Sequence, residues 1–160
     1  MAKQPISVLL VDEHAILREG LRALLSAAPD LLVVGEASDG SSAIRACQRH
    51  SPAVVVMDLL LPKMNGIDAA REILQRQPST GILVLTSDIS SQCVCEAIRA
   101  GASGYLDKDC GVAEIIQAIR SIAAGDVYLG PAISAKLVKG FRGNSTSAEA
   151  GSAWDNLTKR

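Results

Sequence analysis

The chain has 160 residues, 48% of them hydrophobic and 2% aromatic, with a formal net charge of −1. That length suits one domain plus an appendage, with a core built from Val, Leu, Ile and Ala. Acids and bases are interspersed, which argues against nucleic-acid binding by a basic run, and neither a bilayer-spanning stretch nor a secretory signal pattern is evident.

The first apolar run, residues 6–11, ends at Asp12-Glu13, and Leu17, Leu21, Leu24, Leu25 and Ala28 then recur at helical spacing up to Ala28-Pro29-Asp30. A second run covers 31–37, and Asp39-Gly40 turns into a helix marked by Ala43, Ile44 and Cys47. Ser51-Pro52 introduces the third run, 53–57, which ends at Asp58 and is followed by Leu59-Leu60-Leu61-Pro62-Lys63-Met64-Asn65-Gly66. Ile67, Ala70, Ile73 and Leu74 mark the next helix, closed by Gln77-Pro78. The fourth run, 81–85, ends at Thr86-Ser87 and precedes Val94, Ala97, Ile98 and Gly101. The fifth, 102–106, ends at Asp107-Lys108-Asp109 and precedes the clearest stripe, Val112, Ile115, Ile116, Ile119 and Ile122. Pro131 to Lys139 has Ile133, Leu137 and Val138 for a short helix, 140–153 reads as a flexible Gly/Ser/Ala/Asn linker, and 154–160 is too short to fold alone.

Continuous apolar strands alternating with amphipathic helices predict an α/β fold with a parallel sheet covered on both faces. Right-handed crossovers leave an open doubly wound sheet or a barrel, and an eight-stranded barrel needs far more chain. In an open sheet, ligands bind beyond the carboxyl ends of the strands where strand order reverses. With five strands in the order 2-1-3-4-5, that point lies between the strands ended by Asp12-Glu13 and by Asp58. Carboxylates so close repel unless one is protonated or a cation intervenes, and an oxygen-rich site suits Mg²⁺.

The set fits phosphoryl transfer to a carboxylate, a reaction driven by positioning and charge neutralisation. Asp58 is the expected nucleophile. Asp12, Glu13, Asp58 and the backbone carbonyl of Leu60 are the expected Mg²⁺ ligands, with Lys108 and the Thr86 hydroxyl on phosphoryl oxygens. Taken singly, these residues have plainer readings. An acid at a strand end or Thr86 caps a helix, Tyr105 is a core aromatic, His14 starts a helix at the rim, and Arg18 and Arg22 form a solvated face. The four cysteines, Cys47, Cys93, Cys95 and Cys110, have no zinc-type spacing and read as reduced structural thiols.

Val11-Asp12-Glu13, Met57-Asp58 with Pro62 and Asn65-Gly66, Leu85-Thr86, and Gly104-Tyr105 with Lys108 together resemble the receiver domain of two-component response regulators over about residues 5–125. The segments His14 to Leu25, Gly101 to Leu106 and Ala123 to Asp126 are similar to the NarL/FixJ-type subgroup. Leu157 to Arg160 resembles the opening of a LuxR-type helix-turn-helix, so the chain is expected to stop as a DNA-binding domain begins. The resemblance implies a CheY-like (flavodoxin-like) receiver over 1–126, a short helix and linker over 127–153, and the start of a second domain at 154–160. It implies a cytoplasmic phosphoacceptor that is not an enzyme beyond slow self-dephosphorylation, with a sensor histidine kinase as donor to Asp58. Thr86 and Tyr105 would be the switch pair, Tyr105 turning inward on phosphorylation. DNA is a partner only through the missing domain, no membrane is involved, and homodimerisation is left open. Glu13 stands where the family most often has Asp, Leu61 where Met is common, Asp107 where an apolar residue is usual, and Asp109 where many receivers have Pro after a cis peptide. Glu13, Asp107 and Asp109 leave open one alternative, a degenerate receiver acting as a phosphorylation-independent interaction module, against which the intact Asp58, Thr86 and Lys108 argue; the Leu61 swap conserves volume and has small consequences. A third reading, a Mg²⁺-dependent phosphatase, lacks the second acid that would follow Asp58.

Overall fold

The computed structural model describes residues 4–143. The sequence expectations for 144–153 and for the start of a second domain at 154–160, Trp154 included, lie outside the described residues.

Strand and helix alternate throughout: β1 (Ile6–Val11), α1 (Ala15–Leu25), β2 (Leu31–Ala37), α2 (Gly40–His50), β3 (Val54–Met57), α3 (Gly66–Arg76), β4 (Gly81–Thr86), α4 (Ser91–Arg99), β5 (Gly104–Asp107), α5 (Val112–Ala123), β6 (Tyr128–Leu129) and α6 (Pro131–Gly143). The helices begin where short polar side chains accept orphan backbone N–H groups. Asp39 accepts from the N–H of Ser42 in a reciprocal capping box, Asn65 accepts from Ile67, and Ser90 accepts from Cys93. The first acceptor of α4 is therefore Ser90 and not Thr86.

All strand pairs are parallel, in the order β2-β1-β3-β4-β5-β6. Strand residues alternate between two cores because successive side chains leave opposite faces of the sheet. Leu9, Val11, Val55, Met57, Ile82, Val84 and Tyr105 pack with α2, α3 and α4. Val8, Leu10, Val54, Val56, Leu83, Leu85 and Leu106 pack with α1 and α5. The doubly wound parallel sheet expected from the sequence is present. Strand order reverses between β1 and β3, which places the carboxyl ends of those two strands side by side.

The sheet has a sixth strand where five were expected. Tyr128 and Leu129 pair with Gly104 and Tyr105, and two residues are too few to show any alternation in the sequence. The last helix also runs past Lys139 to Gly143. Its residues Ile133, Leu137 and Phe141, one turn apart, are buried in the same core as α4. Gly140, whose composition suggested a linker, is the point of closest approach: a Cβ there would lie 2.7 Å from Cys95 Sγ. Among the described residues no helix is long and apolar enough to cross a membrane, and there is no cis peptide bond, at Lys108-Asp109 or elsewhere.

Candidate functional site

Asp12 follows β1 and Asp58 follows β3, and the two ends are tied together through their backbones. The N–H of Asp58 donates to the Val11 carbonyl (3.0 Å) and that of Asp12 to the Ala37 carbonyl (3.1 Å). Both carboxylates are buried, at 4% and 3% exposure. Lys108 follows β5, and its N–H donates to the Thr86 carbonyl at the end of β4 (3.0 Å). From there its ammonium reaches both acids, 2.8 Å from Asp12 Oδ2 and 2.6 Å from Asp58 Oδ2. The repulsion expected between the acids is thus met by a cation from the chain itself.

The other Asp58 oxygen, Oδ1, accepts the N–H of Leu60 (3.1 Å). The loop that presents this N–H is held by a close backbone approach. A Cβ on Gly66 would lie 2.6 Å from Leu59 Cα and 2.7 Å from the Asp58 carbonyl, so any side chain there would push the loop away. Gly66 returns an N–H to the Leu59 carbonyl (3.0 Å), and Asn65 fixes the start of α3 beside it.

Asp12 Oδ1 accepts the His14 N–H (2.8 Å) and lies 3.0 Å from His14 Nδ1. Burial works against the charge on Asp12, but the Lys108 ammonium and the His14 N–H outweigh it and hold the carboxyl below its ordinary value. Burial also opposes the Lys108 charge, and the two carboxylates reverse that and raise it. His14 stands at the exposed rim as the residue before α1 and makes no side-chain cap.

Not every expected site residue joins this cluster. Glu13 is turned to the rim, with Oε1 3.8 Å from His14 Nε2. Leu60 is exposed, and its contribution to Asp58 is the N–H. Among the described residues no group of three acidic, histidine or cysteine side chains stands assembled to hold a metal. Asp107 does not compete for the ammonium, and its Oδ1 accepts the N–H of Asp109 (3.1 Å). Arg18, read from the sequence as part of a solvated face, is instead bound to the site's framework. Its guanidinium donates to the Asp12 carbonyl and to Glu36 Oε1 at 3.1 Å, and Arg22 reaches Glu36 Oε2 at 3.0 Å. No sequence signal marks these bonds, because only the β1–β2 pairing brings Glu36 opposite α1.

Thr86 and Tyr105 end one corner of the site. Both are fully buried. The Thr86 hydroxyl accepts the Asp88 N–H at 3.4 Å, and the Tyr105 hydroxyl donates to the Asp88 carbonyl. Tyr105 is therefore already inward. Burial raises its hydroxyl pKa first, and neighbouring anionic groups add to that.

A family model described as the response regulator receiver domain matches residues 8–120. Transcriptional regulatory protein LiaR of Bacillus subtilis is 41% identical over 155 residues, covering 97% of this chain and 72% of that protein. Transcriptional regulatory protein DegU of Brevibacillus brevis is 34% identical over 137 residues, covering 86% of this chain and 58% of that protein. The crystal structure of a LuxR-family two-component response regulator from Aurantimonas sp. SI85-9A1 superposes with a TM-score of 0.81 at 40% identity, covering 85% of this chain and 97% of that one. The matched regions thus span between 58% and 72% of the length of the two curated relatives.

Proposed function

The chain belongs to the response regulator receiver family, and on that premise we propose that it takes a phosphoryl group on Asp58 from a sensor histidine kinase and so regulates a DNA-binding domain beyond residue 153. The observation that carries this reading is the setting of the Asp58 carboxylate. It is buried at a strand end, held on one oxygen by Lys108 and on the other by the Leu60 N–H. Such a carboxylate is fixed in orientation yet faces the crevice where ligands of doubly wound sheets sit.

In the transfer, an Asp58 oxygen bonds to phosphorus as the bond from phosphorus to the donor's histidine nitrogen breaks, and that nitrogen keeps the electron pair and takes up a proton. Lys108, held between Asp12 and Asp58, is placed to follow the charge from the carboxylate to a phosphoryl oxygen. The Thr86 hydroxyl has one weak acceptor role, toward the Asp88 N–H, and its proton is available to another phosphoryl oxygen. Attack of water on the acyl phosphate returns the carboxylate slowly; no buried second acid follows Asp58 to speed it.

The donor set fits a divalent cation. Two buried carboxylates share a single ammonium, which leaves the pocket one negative charge in excess before Glu13 is counted. Asp12, Glu13, Asp58 and the Leu60 carbonyl would hold Mg²⁺, Glu13 by turning inward from the rim. The ion would supply neutralisation of the phosphoryl oxygens. We assign residues 1–126 to the receiver, 127–153 to a helix and connecting segment, and 154–160 to the start of the output domain, in a cytoplasmic protein.

One observation favours a second reading, the phosphorylation-independent module. Tyr105 is already buried and bound to Asp88, the position expected only after phosphorylation. Intact mass after incubation with Mg²⁺ and acetyl phosphate separates the two. A gain of one phosphoryl group that requires Mg²⁺ and is lost in Asp58→Ala is expected. No gain in a folded, Mg²⁺-binding chain would favour the module.

A further inference from the structure

Asp88 touches both switch residues and the helix that follows them. Its N–H donates to Thr86 Oγ1 (3.4 Å), and its carbonyl accepts the Tyr105 hydroxyl. Its carboxylate accepts the Ser90 N–H on Oδ1 (3.1 Å) and the Cys93 thiol on Oδ2 (3.0 Å). Ser90 in turn caps α4 by accepting the Cys93 N–H (3.3 Å). The first turn of α4 is thus tied to Asp88 at two points, and those bonds keep the Asp88 carboxyl below its ordinary value, the Cys93 thiol contributing most.

The same turn of α4 carries α6. Ser91 and Cys95, one turn apart, face Gly140, where an added Cβ would lie 2.7 Å from Cys95 Sγ and 3.3 Å from Ser91 Cβ. Below that contact, Ile133, Leu137 and Phe141 bury the inner stripe of α6 in the core that also holds Val94, Cys95 and Tyr105. A helix packed this closely cannot follow a rotation of its neighbour without repacking. We propose that α6 is the element through which this receiver reports its phosphoryl state, and that Asp88 is the positioning residue that carries the state to it. When the Thr86 hydroxyl turns to a phosphoryl oxygen, Asp88 loses the acceptor for its N–H. The loop from Asp88 to Ser90 resets, the first turn of α4 moves with its cap, and the Cys95–Gly140 contact opens or tightens. The inference rests on phosphorylation of Asp58 as proposed above.

The test is amide hydrogen exchange of residues 131–143 in the full chain, with Mg²⁺ and acetyl phosphate present or absent, and intact mass measured on the same samples. Phosphorylation is expected to change α6 exchange about tenfold while β1 and β3 amides stay protected. Asp88→Ala removes both carboxylate bonds but leaves Asp58 untouched. It is expected to gain the phosphoryl mass as the wild type does, yet to show α6 exchange that no longer responds to it. Asp88→Asn keeps an acceptor for the Ser90 N–H and should restore part of the response, which a merely structural role would not require. Gly140→Ala should free α6 in both states. A phosphoryl gain with α6 exchange unchanged overturns this inference and leaves the receiver reading standing. No gain in any chain overturns both.

Discussion

The side of the sheet covered by α1 and α5 and the side covered by α2, α3, α4 and α6 bury similar strand residues against unlike helices. On the first, α5 presents Ile115, Ile119 and Ile122 and α1 presents Leu21 and Leu25, large aliphatic groups with few rotamers in a helix. On the second, small residues, Ala43, Ala69, Ala70 and Ala97 with the thiols Cys47 and Cys95, alternate on the helices with Ile44, Ile67, Ile73 and Ile98, and strand β5 adds the buried Tyr105. Small side chains bring neighbouring helices close enough that a shift of one is passed to the next, whereas the interlocked branched ones hold their places. The difference teaches where this fold can house a two-state element. The α1–α5 side anchors the sheet, and the other side holds Thr86 and Tyr105, the loop at Asp88 and the helices that loop can move.

The largest effects should separate anchor from moving part. Ile119→Ala empties a fully buried site on α5 and is expected to cost about 2–5 kcal/mol of global stability, read as a lower urea midpoint for every probe. Phe141→Ala removes more volume, but its cost should be paid by α6 letting go, with exchange of Val8 and Leu9 amides nearly unchanged. If Phe141→Ala weakens the sheet amides as much as Ile119→Ala does, the two sides form one cooperative unit and the distinction fails.

A smaller effect sharpens the contrast between the two tyrosines. Tyr105→Phe leaves the Asp88 carbonyl without its donor and is expected to cost about 1 kcal/mol. Tyr128→Phe loses only a long 3.5 Å contact with Glu114 on the other side and should fall within about 0.5 kcal/mol of wild type in denaturant unfolding. Equal losses would mean that the Tyr105 hydroxyl does nothing specific for the loop.

The residues that were legible in the sequence are those whose role is set by their place at a strand end. Asp12, Asp58, Thr86 and Lys108 each close an apolar run, and parallel strands necessarily bring such ends to one edge. The conformation of the site was less legible, because it depends on distances across the sheet. Nothing local says that Lys108 bridges both acids while Glu13 turns to His14, or that Arg18 leaves the solvated face for Glu36 and the Asp12 carbonyl. Asp88 was silent for another reason: its bonds run through the backbone as much as the side chain. Gly140 misled by composition, since a glycine that permits close helix packing looks the same in sequence as one that loosens a linker.

The last contrast is one of protons. Burial pushes the Cys47 thiol up from 9.0 to about 11, and Tyr105 is raised above 10.0 by burial on the same side. A group whose folded pKa exceeds its unfolded value adds stability that is complete below the unfolded value and is lost as pH rises through the folded one. Cys47 should therefore begin to cost stability above pH 9.0, with Tyr105 following above 10.0 and Lys108, raised by its two carboxylates after burial opposes them, above 10.5. Asp12 runs the other way: burial opposes its charge, Lys108 and His14 prevail, and its contribution is lost only as pH falls below about 3.8. On the α1–α5 side Cys110 is shifted upward too, again by burial first, but it lies at the margin of that core. Cys47→Ala should accordingly flatten the fall in urea midpoint between pH 9 and about 11 more than Cys110→Ala does. Equal flattening would place the alkaline weakness on both sides of the sheet, and the α2 side would lose its claim to be the one that yields first.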